Sequence, residues 1–212
     1  MPDRLSHVEA LVSSFPGLAP IRADIEGACR ALIAVYRAGG KLLVCGNGGS
    51  CADADHIVGE LGKGFLKKRP LPADTRSRIR AAFPEGDKLA AALQGGLPAI
   101  NLAAHASLFT AFANDVDADY AYAQQVVAYG RQGDMLLGIS TSGNARNVFH
   151  AVGVARALGL VTIGLTGSAG GRLRELCATC IRVPATETYK VQELHLPVYH
   201  ALCAEVEEAM FG

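Results

Sequence analysis

The sequence predicts an α/β fold: one domain holding an open sheet of five parallel strands, with helices on both faces and further helices at the N-terminus. Three observations carry this. Short apolar segments of strand length recur along the chain. They alternate with segments of helical periodicity, which implies parallel pairing through crossovers and a sheet covered on both sides. At 212 residues, 50% hydrophobic, the chain is long enough to bury about 70% of its unfolded surface in one core.

Residues 21–38 read as a helix, because Ile21, Ile25, Cys29, Leu32 and Tyr36 recur at helical spacing and Gly39 and Gly40 stop it. Residues 1–39 thus form an N-terminal helical segment. Residues 41–45 read as the first buried strand and 52–61 as a helix. The stretch 62–87 is polar and rich in Lys, Arg and Pro, and reads as a mobile loop inserted into the domain. A short helix over 88–93 and a strand over 98–102 follow, then helices over 106–113 and 120–129. The third strand is 135–139, followed by a helix over 145–157, a strand over 161–165, a Gly-rich turn over 167–171 and a short helix over 173–177. The fifth strand is 179–183. Residues 189–211 read as a long last helix, in which Pro197 either kinks the helix or starts a second one with His200 in its first turn. No repeat of solenoid period and no low-complexity tract is present.

Composition excludes several classes of function. Twenty basic and twenty acidic residues give zero net charge, against the basic excess that nucleic-acid binding needs. With no Trp and 6% aromatics, base-stacking platforms are not expected either. No apolar run reaches the ~20 residues of a membrane span, and the polar start lacks the apolar core of a signal peptide. The expectation is a soluble, cytoplasmic protein that binds neither nucleic acid nor membrane. Of the six cysteines, Cys177 and Cys180 form a lone C-x-x-C, which reads as a buried structural pair.

Ligands of open parallel sheets bind beyond the carboxyl ends of the strands. Two loops there stand out: Gly46-Asn47-Gly48-Gly49-Ser50 after the first strand and Ser140-Thr141-Ser142-Gly143-Asn144 after the third. Both combine small side chains with free donors and lead into a helix N-terminus, an arrangement that favours an anion. The second offers three hydroxyls and no Lys, which suits a phosphate monoester held by neutral donors. Either loop alone is more often an ordinary strand-to-helix turn with Ser or Asn as cap; two at one sheet edge reverse that reading. Neither is a G-x-x-x-x-G-K-[ST] or G-x-G-x-x-G loop, so neither ATP nor a dinucleotide is indicated. His56 and Glu60, at i and i+4, share one face of the helix that begins at the first loop. On the last helix Gln192 and His200 lie two turns apart, with His195 between them.

At these residues the sequence resembles the phosphoheptose isomerases of the sugar isomerase (SIS) domain superfamily. The likeness lies in residues 46–50, then Asp53, His56 and Glu60, Asn114-Asp115, residues 140–144, and Gln192-Glu193-x-His195 followed by His200. It covers most of the chain outside 62–96. The resemblance implies an enzyme that converts sedoheptulose 7-phosphate to D-glycero-D-manno-heptose 7-phosphate. It implies that Asn47, Ser50, Ser140, Thr141 and Ser142, with Gly48 and Gly49 of the first loop, hold the phosphosugar. It further implies that Asp115 contacts the sugar hydroxyls, and that His56, Glu60, Gln192 and His200 form a zinc-binding and catalytic cluster, Gln192 also touching substrate. The family's tetramers, with sites between subunits, imply a homotetramer here and a meeting of His56 with His200 across chains. Three positions depart from the pattern: Ala145 where the family has Ser, Tyr189 where it has Asp, and Gly64, beside Lys63, where it has Arg.

Moving a carbonyl between C2 and C1 needs a base for a carbon-bound proton, an acid–base group for the oxygens, and stabilisation of an enediolate. Glu60 and His200 are the carboxylate and imidazole that would act, and zinc would serve as Lewis acid. Whether Glu60 is base or mainly ligand stays open at this stage. The competing expectations are a non-catalytic SIS-domain binding protein (a replication-initiator partner or phosphosugar sensor) and an isomerase of another phosphosugar. The apolar spread of Leu196, Tyr199, Leu202, Cys203, Val206, Met210 and Phe211 around the last helix gives a separate reason to expect an oligomer.

Overall fold

The strands are β1 (Leu42–Gly46), β2 (Ala99–Asn101), β3 (Met135–Ser140), β4 (Val161–Thr166) and β5 (Thr179–Arg182). In the computed structural model, which describes residues 5–212, they pair in parallel in the order β2-β1-β3-β4-β5. Leu43 of β1 stands opposite Ile100 on one side and Leu136 on the other. Every residue of β1 and β3 is buried, which is why these strands read as continuous apolar runs. Residues 1–4 of the expected N-terminal helical segment lie outside the described ones.

Two apolar layers form on the two faces of the sheet. Leu42, Val44, Met135, Leu137, Ile163 and Ile181 pack with α1 (Ser6–Ser14), α2 (Arg22–Arg37), α3 (Gly49–Gly62) and α10 (Thr188–Phe211). Leu43, Cys45 and Leu136 pack with α6 (Ala106–Phe112), α7 (Ala121–Tyr129), α8 (Arg146–Ala157) and α9 (Leu173–Leu176). The helix after β1 therefore lies on one face and the helix after β3 on the other. Because β1 and β3 are neighbours, the loops that follow them part above the sheet and leave a crevice between them.

Helix α10 runs unbroken through Pro197, so no second helix starts there. It packs against α1, α2 and α3 of its own chain. Tyr199, Leu202, Cys203 and Val206 are buried by that packing, and Met210 and Phe211 are half-buried against the same core; Leu196 is exposed. The apolar circumference is thus covered within one chain and does not by itself mark an interface.

Two acidic residues of α10 tie down distant segments. Glu205 accepts from the backbone N–H groups of His7 (2.6 Å) and Val8 (3.0 Å) at the start of α1. Glu207 accepts from Phe65, Leu66 and Lys67 N–H and from Arg69 Nε (2.7 Å). Arg69 is fully buried. Its two other nitrogens donate to the carbonyls of Leu61 (2.8 Å) and Glu60 (3.0 Å), which caps the C-terminus of α3.

The stretch 62–87 is not the featureless loop expected from its composition. It opens on this buried arginine and contains α4 (Ala73–Ala82), followed by α5 (Gly86–Ala92). Helix α4 buries no side chain, so it leaves no apolar periodicity to read. Both ends of the excursion meet: Pro70 bridges to Gln94, and Gly95 N–H donates to the Arg69 carbonyl at 2.6 Å.

Candidate active site

The crevice between the loops after β1 and β3 is a cavity of about 370 Å³. It is lined by Asn47, Gly48, Gly49, Ser50, Ser140, Thr141 and Ser142, and closed by Ala145, Thr188 and Gln192. A side chain at Gly49 would overlap the Gln192 amide where it now stands, so glycine here leaves room for that amide against the first loop. Gly143 sits at φ 69°, a conformation that lets the hydroxyl loop turn sharply into α8. Ser140 Oγ and Ser142 Oγ accept from the N–H groups of Ala145 and Asn144 at the head of that helix. Their own hydroxyl protons remain to be aimed at an anion.

Two supporting residues were not singled out from the sequence. Asn147 and Asn47 exchange reciprocal amide hydrogen bonds of 2.9 Å, and Tyr122 donates to the Gly46 carbonyl at 2.6 Å. Asn147, three residues after Asn144 in the first turn of α8, had a local signal as a polar residue facing the loop. Tyr122 had none, because its contact spans 76 residues. Asp115 lies on a π-helical turn (Ala113–Asp117) and accepts from Asn114 Nδ2 at 2.9 Å; it is exposed and does not line the cavity.

A second cluster lies further down α3 and α10. His56 Nε2 is 3.2 Å from Glu60 Oε1, and His56 Nδ1 is 3.0 Å from the Tyr199 hydroxyl. Tyr199 also donates to Asp53 Oδ1 at 3.3 Å. The His56 and His200 rings pack edge-on with centroids 4.9 Å apart, and Phe65 covers His200. The two histidines therefore meet within one chain, contrary to the expectation that they meet across chains, because α3 and α10 lie side by side on one face of the sheet. Burial, and then the neighbouring His56, hold His200 below the usual imidazole range and so neutral. Burial raises the Asp53 carboxyl, an effect partly offset by the tyrosine hydroxyl.

Gln192 does not join this cluster. Eight residues before His200, it lies about 12 Å away along the helix and faces the loop cavity. His195 is fully buried, and desolvation, only partly offset by the Thr166 backbone, lowers its pKa to about 4. It is a neutral core residue. Among the departures, Ala145 lines the cavity, Tyr189 is exposed, and Lys63 reaches within 3.5 Å of Glu60 Oε2.

The donors near His56 suit a zinc ion in kind: two imidazoles and a carboxylate. His200 Nε2 is buried without a hydrogen-bond partner, and Glu60 Oε2, also without one, has the Lys63 ammonium 3.5 Å away, so lone pairs on both side chains stay free for a cation. Among the described residues, however, no three His, Cys, Asp or Glu side chains already converge as a finished cage. Cys177 and Cys180 are free thiols, both raised by burial, the former to about 12, and both flank Gly164. That makes them poor nucleophiles and supports a structural role.

The fold, with its paired loops at the switch of strand order, defines a SIS-domain protein, and the SIS domain family matches residues 17–90 and 81–167. The chain belongs, within it, to the phosphoheptose isomerases, which are sugar-phosphate isomerase enzymes. It is 41% identical to the phosphoheptose isomerase of Rhodospirillum rubrum over 91% of this chain and 87% of that one. Among solved structures it is similar to a phosphoheptose isomerase from Francisella tularensis, with a TM-score of 0.75, 29% identity, and 96% and 95% of the two chains covered. It is likewise similar to that of Neisseria gonorrhoeae, with a TM-score of 0.69, 30% identity, and 92% and 97% covered. The reading as a non-catalytic binding protein is not favoured. Among the described residues no helix is long and apolar enough to cross a membrane.

Proposed function

We propose that this chain isomerises sedoheptulose 7-phosphate to D-glycero-D-manno-heptose 7-phosphate. The observation that carries the proposal is the pair of small-residue loops facing each other across one cavity, with Gln192 at its side. The phosphate sits over Ser140, Thr141 and Ser142, where hydroxyls and the α8 N-terminus hold it without a cation. Glu60 Oε2 takes the proton from C1 and returns it to C2. His200, neutral and with one protonated nitrogen, passes a proton between O2 and O1. His56, Glu60 and His200 would hold a zinc ion, with Gln192 of a neighbouring copy as a weak fourth donor, and the ion would supply Lewis-acid stabilisation of the developing oxyanion.

The working form is a homo-oligomer, a tetramer by the family's habit, in a cytoplasmic setting. The support is geometric. Along α3, His56 and Glu60 lie about 10 and 16 Å from Gly49 at the cradle, far for one bound sugar. A depression beside His200 is lined by Phe15 and Leu66, both exposed. A neighbouring copy seated there would bring its cradle, with its Gln192, to this chain's Glu60 and His200. Incubation of purified protein with sedoheptulose 7-phosphate, followed by NMR, tests the reaction. Appearance of the aldose phosphate is expected, and an unchanged ketose with folded, zinc-supplied protein would overturn the proposal.

A further inference from the structure

We infer that Asn147 is a positioning residue for the substrate cavity: paired amide to amide with Asn47, it engages that side chain's oxygen and one of its amide hydrogens, and leaves the other hydrogen as the donor that Asn47 offers to an oxygen of the phosphosugar. The inference rests on the substrate reading above. Asn47 lines the cavity and Asn147 does not, so Asn147 acts on a bound sugar through its partner. The pair spans the crevice. Asn47 belongs to the loop that runs into α3 on one face of the sheet, and Asn147 to the first turn of α8 on the other, 100 residues further along the chain.

A backbone group with no choice of role sets the direction of these bonds. The Val148 N–H only donates. It lies 2.9 Å from one end of the Asn147 amide, which must therefore be the oxygen. That oxygen also accepts from Asn47 Nδ2 at 2.9 Å. Asn147 Nδ2 is then the atom that faces Asn47 Oδ1, again at 2.9 Å. With both amides turned over, the pair itself would survive, but the Val148 N–H would face an NH2 group and lose its acceptor. On its other side Asn47 Oδ1 meets the Tyr122 hydroxyl at 3.4 Å, which also anchors the loop through the Gly46 carbonyl at 2.6 Å. A primary amide carries one oxygen and two hydrogens. With the oxygen and one hydrogen engaged, Asn47 has one N–H left to offer. A freely rotating asparagine would present either end to a ligand. This one is set in advance as a donor, like the hydroxyls of Ser140, Thr141 and Ser142 across the cavity, and so spares the ordering cost on binding.

Asn147→Ala removes the partner and leaves Asn47 in place. Its KM for sedoheptulose 7-phosphate should rise about 10-fold, the scale of one hydrogen bond. Its kcat should stay within about threefold of the wild type, because the cavity holds neither Glu60 nor His200. The rise in KM should vanish in an Asn47→Ala background, since a residue that works through Asn47 has nothing left to position there. In substrate-free wild type, NMR should show a proton–proton NOE between the two side-chain amides, a measurement that needs no variant to fold. An unchanged KM in folded Asn147→Ala, the same rise with and without the Asn47 side chain, or absence of that NOE would each overturn the inference. A wild type that does not turn over sedoheptulose 7-phosphate would overturn the substrate reading instead, and the NOE, measured without substrate, still decides the pairing.

Discussion

The two oxygens of Glu60 have different surroundings: Oε1 faces His56, while Oε2 has only Lys63, 3.5 Å away. The hydroxyls of Ser140, Thr141 and Ser142 face a cavity that holds neither Glu60 nor His200. Damage to the two places should therefore read differently in kinetics. Glu60→Gln and His200→Asn should each lower kcat by at least ~100-fold with the fold intact. The Thr141→Val, Ser142→Ala double variant should chiefly raise KM. Near-normal kcat in either single variant would remove that residue from the chemistry, and an unchanged KM in the double variant would move the phosphate elsewhere. His56 with Glu60, and the two loops, were legible because each is a local pattern whose spacing survives any fold. Tyr199 and Arg69 were not, since their partners Asp53 and Glu207 lie 146 and 138 residues away.

Among the elements, α10 does the most, and its interior carries a charge problem that pH can expose. His195 is buried with a pKa of about 4, against about 6.5 in an unfolded chain. Between those values the unfolded chain binds the proton and the native one does not. Stability contributed by the neutral ring is thus complete above pH 6.5 and drains at up to ~1.4 kcal/mol per pH unit down to about 4. Urea midpoints of His195→Leu should depend less on pH across that window than those of the wild type; parallel curves would show that the ring is not neutral in the fold. At the other end of α10, Arg69→Met leaves the buried Glu207 without its counter-charge and should cost about 3 kcal/mol in denaturant unfolding, with Arg69→Met, Glu207→Leu recovering part of the loss. Recovery of none would mean that the Glu207 bonds to Phe65–Lys67 matter more than the ion pair. Helix α10 was legible as a helix, and the strands as strands, because burial writes itself into apolar runs. Helix α4 was not, because a helix with no buried side chain has the composition of a loop.

At the scale of the whole molecule, the parallel course of α3 and α10 puts cradle and acid–base cluster on one chain but not in one place. A mixture of the Thr141→Val, Ser142→Ala protein with Glu60→Gln protein tests whether copies share sites. If one copy's cradle serves another's Glu60, reassembled oligomers contain some intact sites and regain part of the activity. No regain after verified subunit exchange would place each site within one chain, and a fully active monomer on sizing would defeat the oligomer itself. The order of the strands was the least legible property of the fold. Periodicity marks where strands are, whereas which strands are neighbours depends on crossovers between distant segments.

The meeting of Arg69 with Gly95, and of Pro70 with Gln94, makes the α4–α5 excursion a detachable module. A segment whose two feet already touch can be shortened to a brief turn without moving either foot. Closure entropy changes little in doing so, by roughly 0.6 kcal/mol for each halving of its length. Gain or loss of this module between lineages would be a single step, invisible to the sheet, and the same junction is where a foreign segment could be grafted.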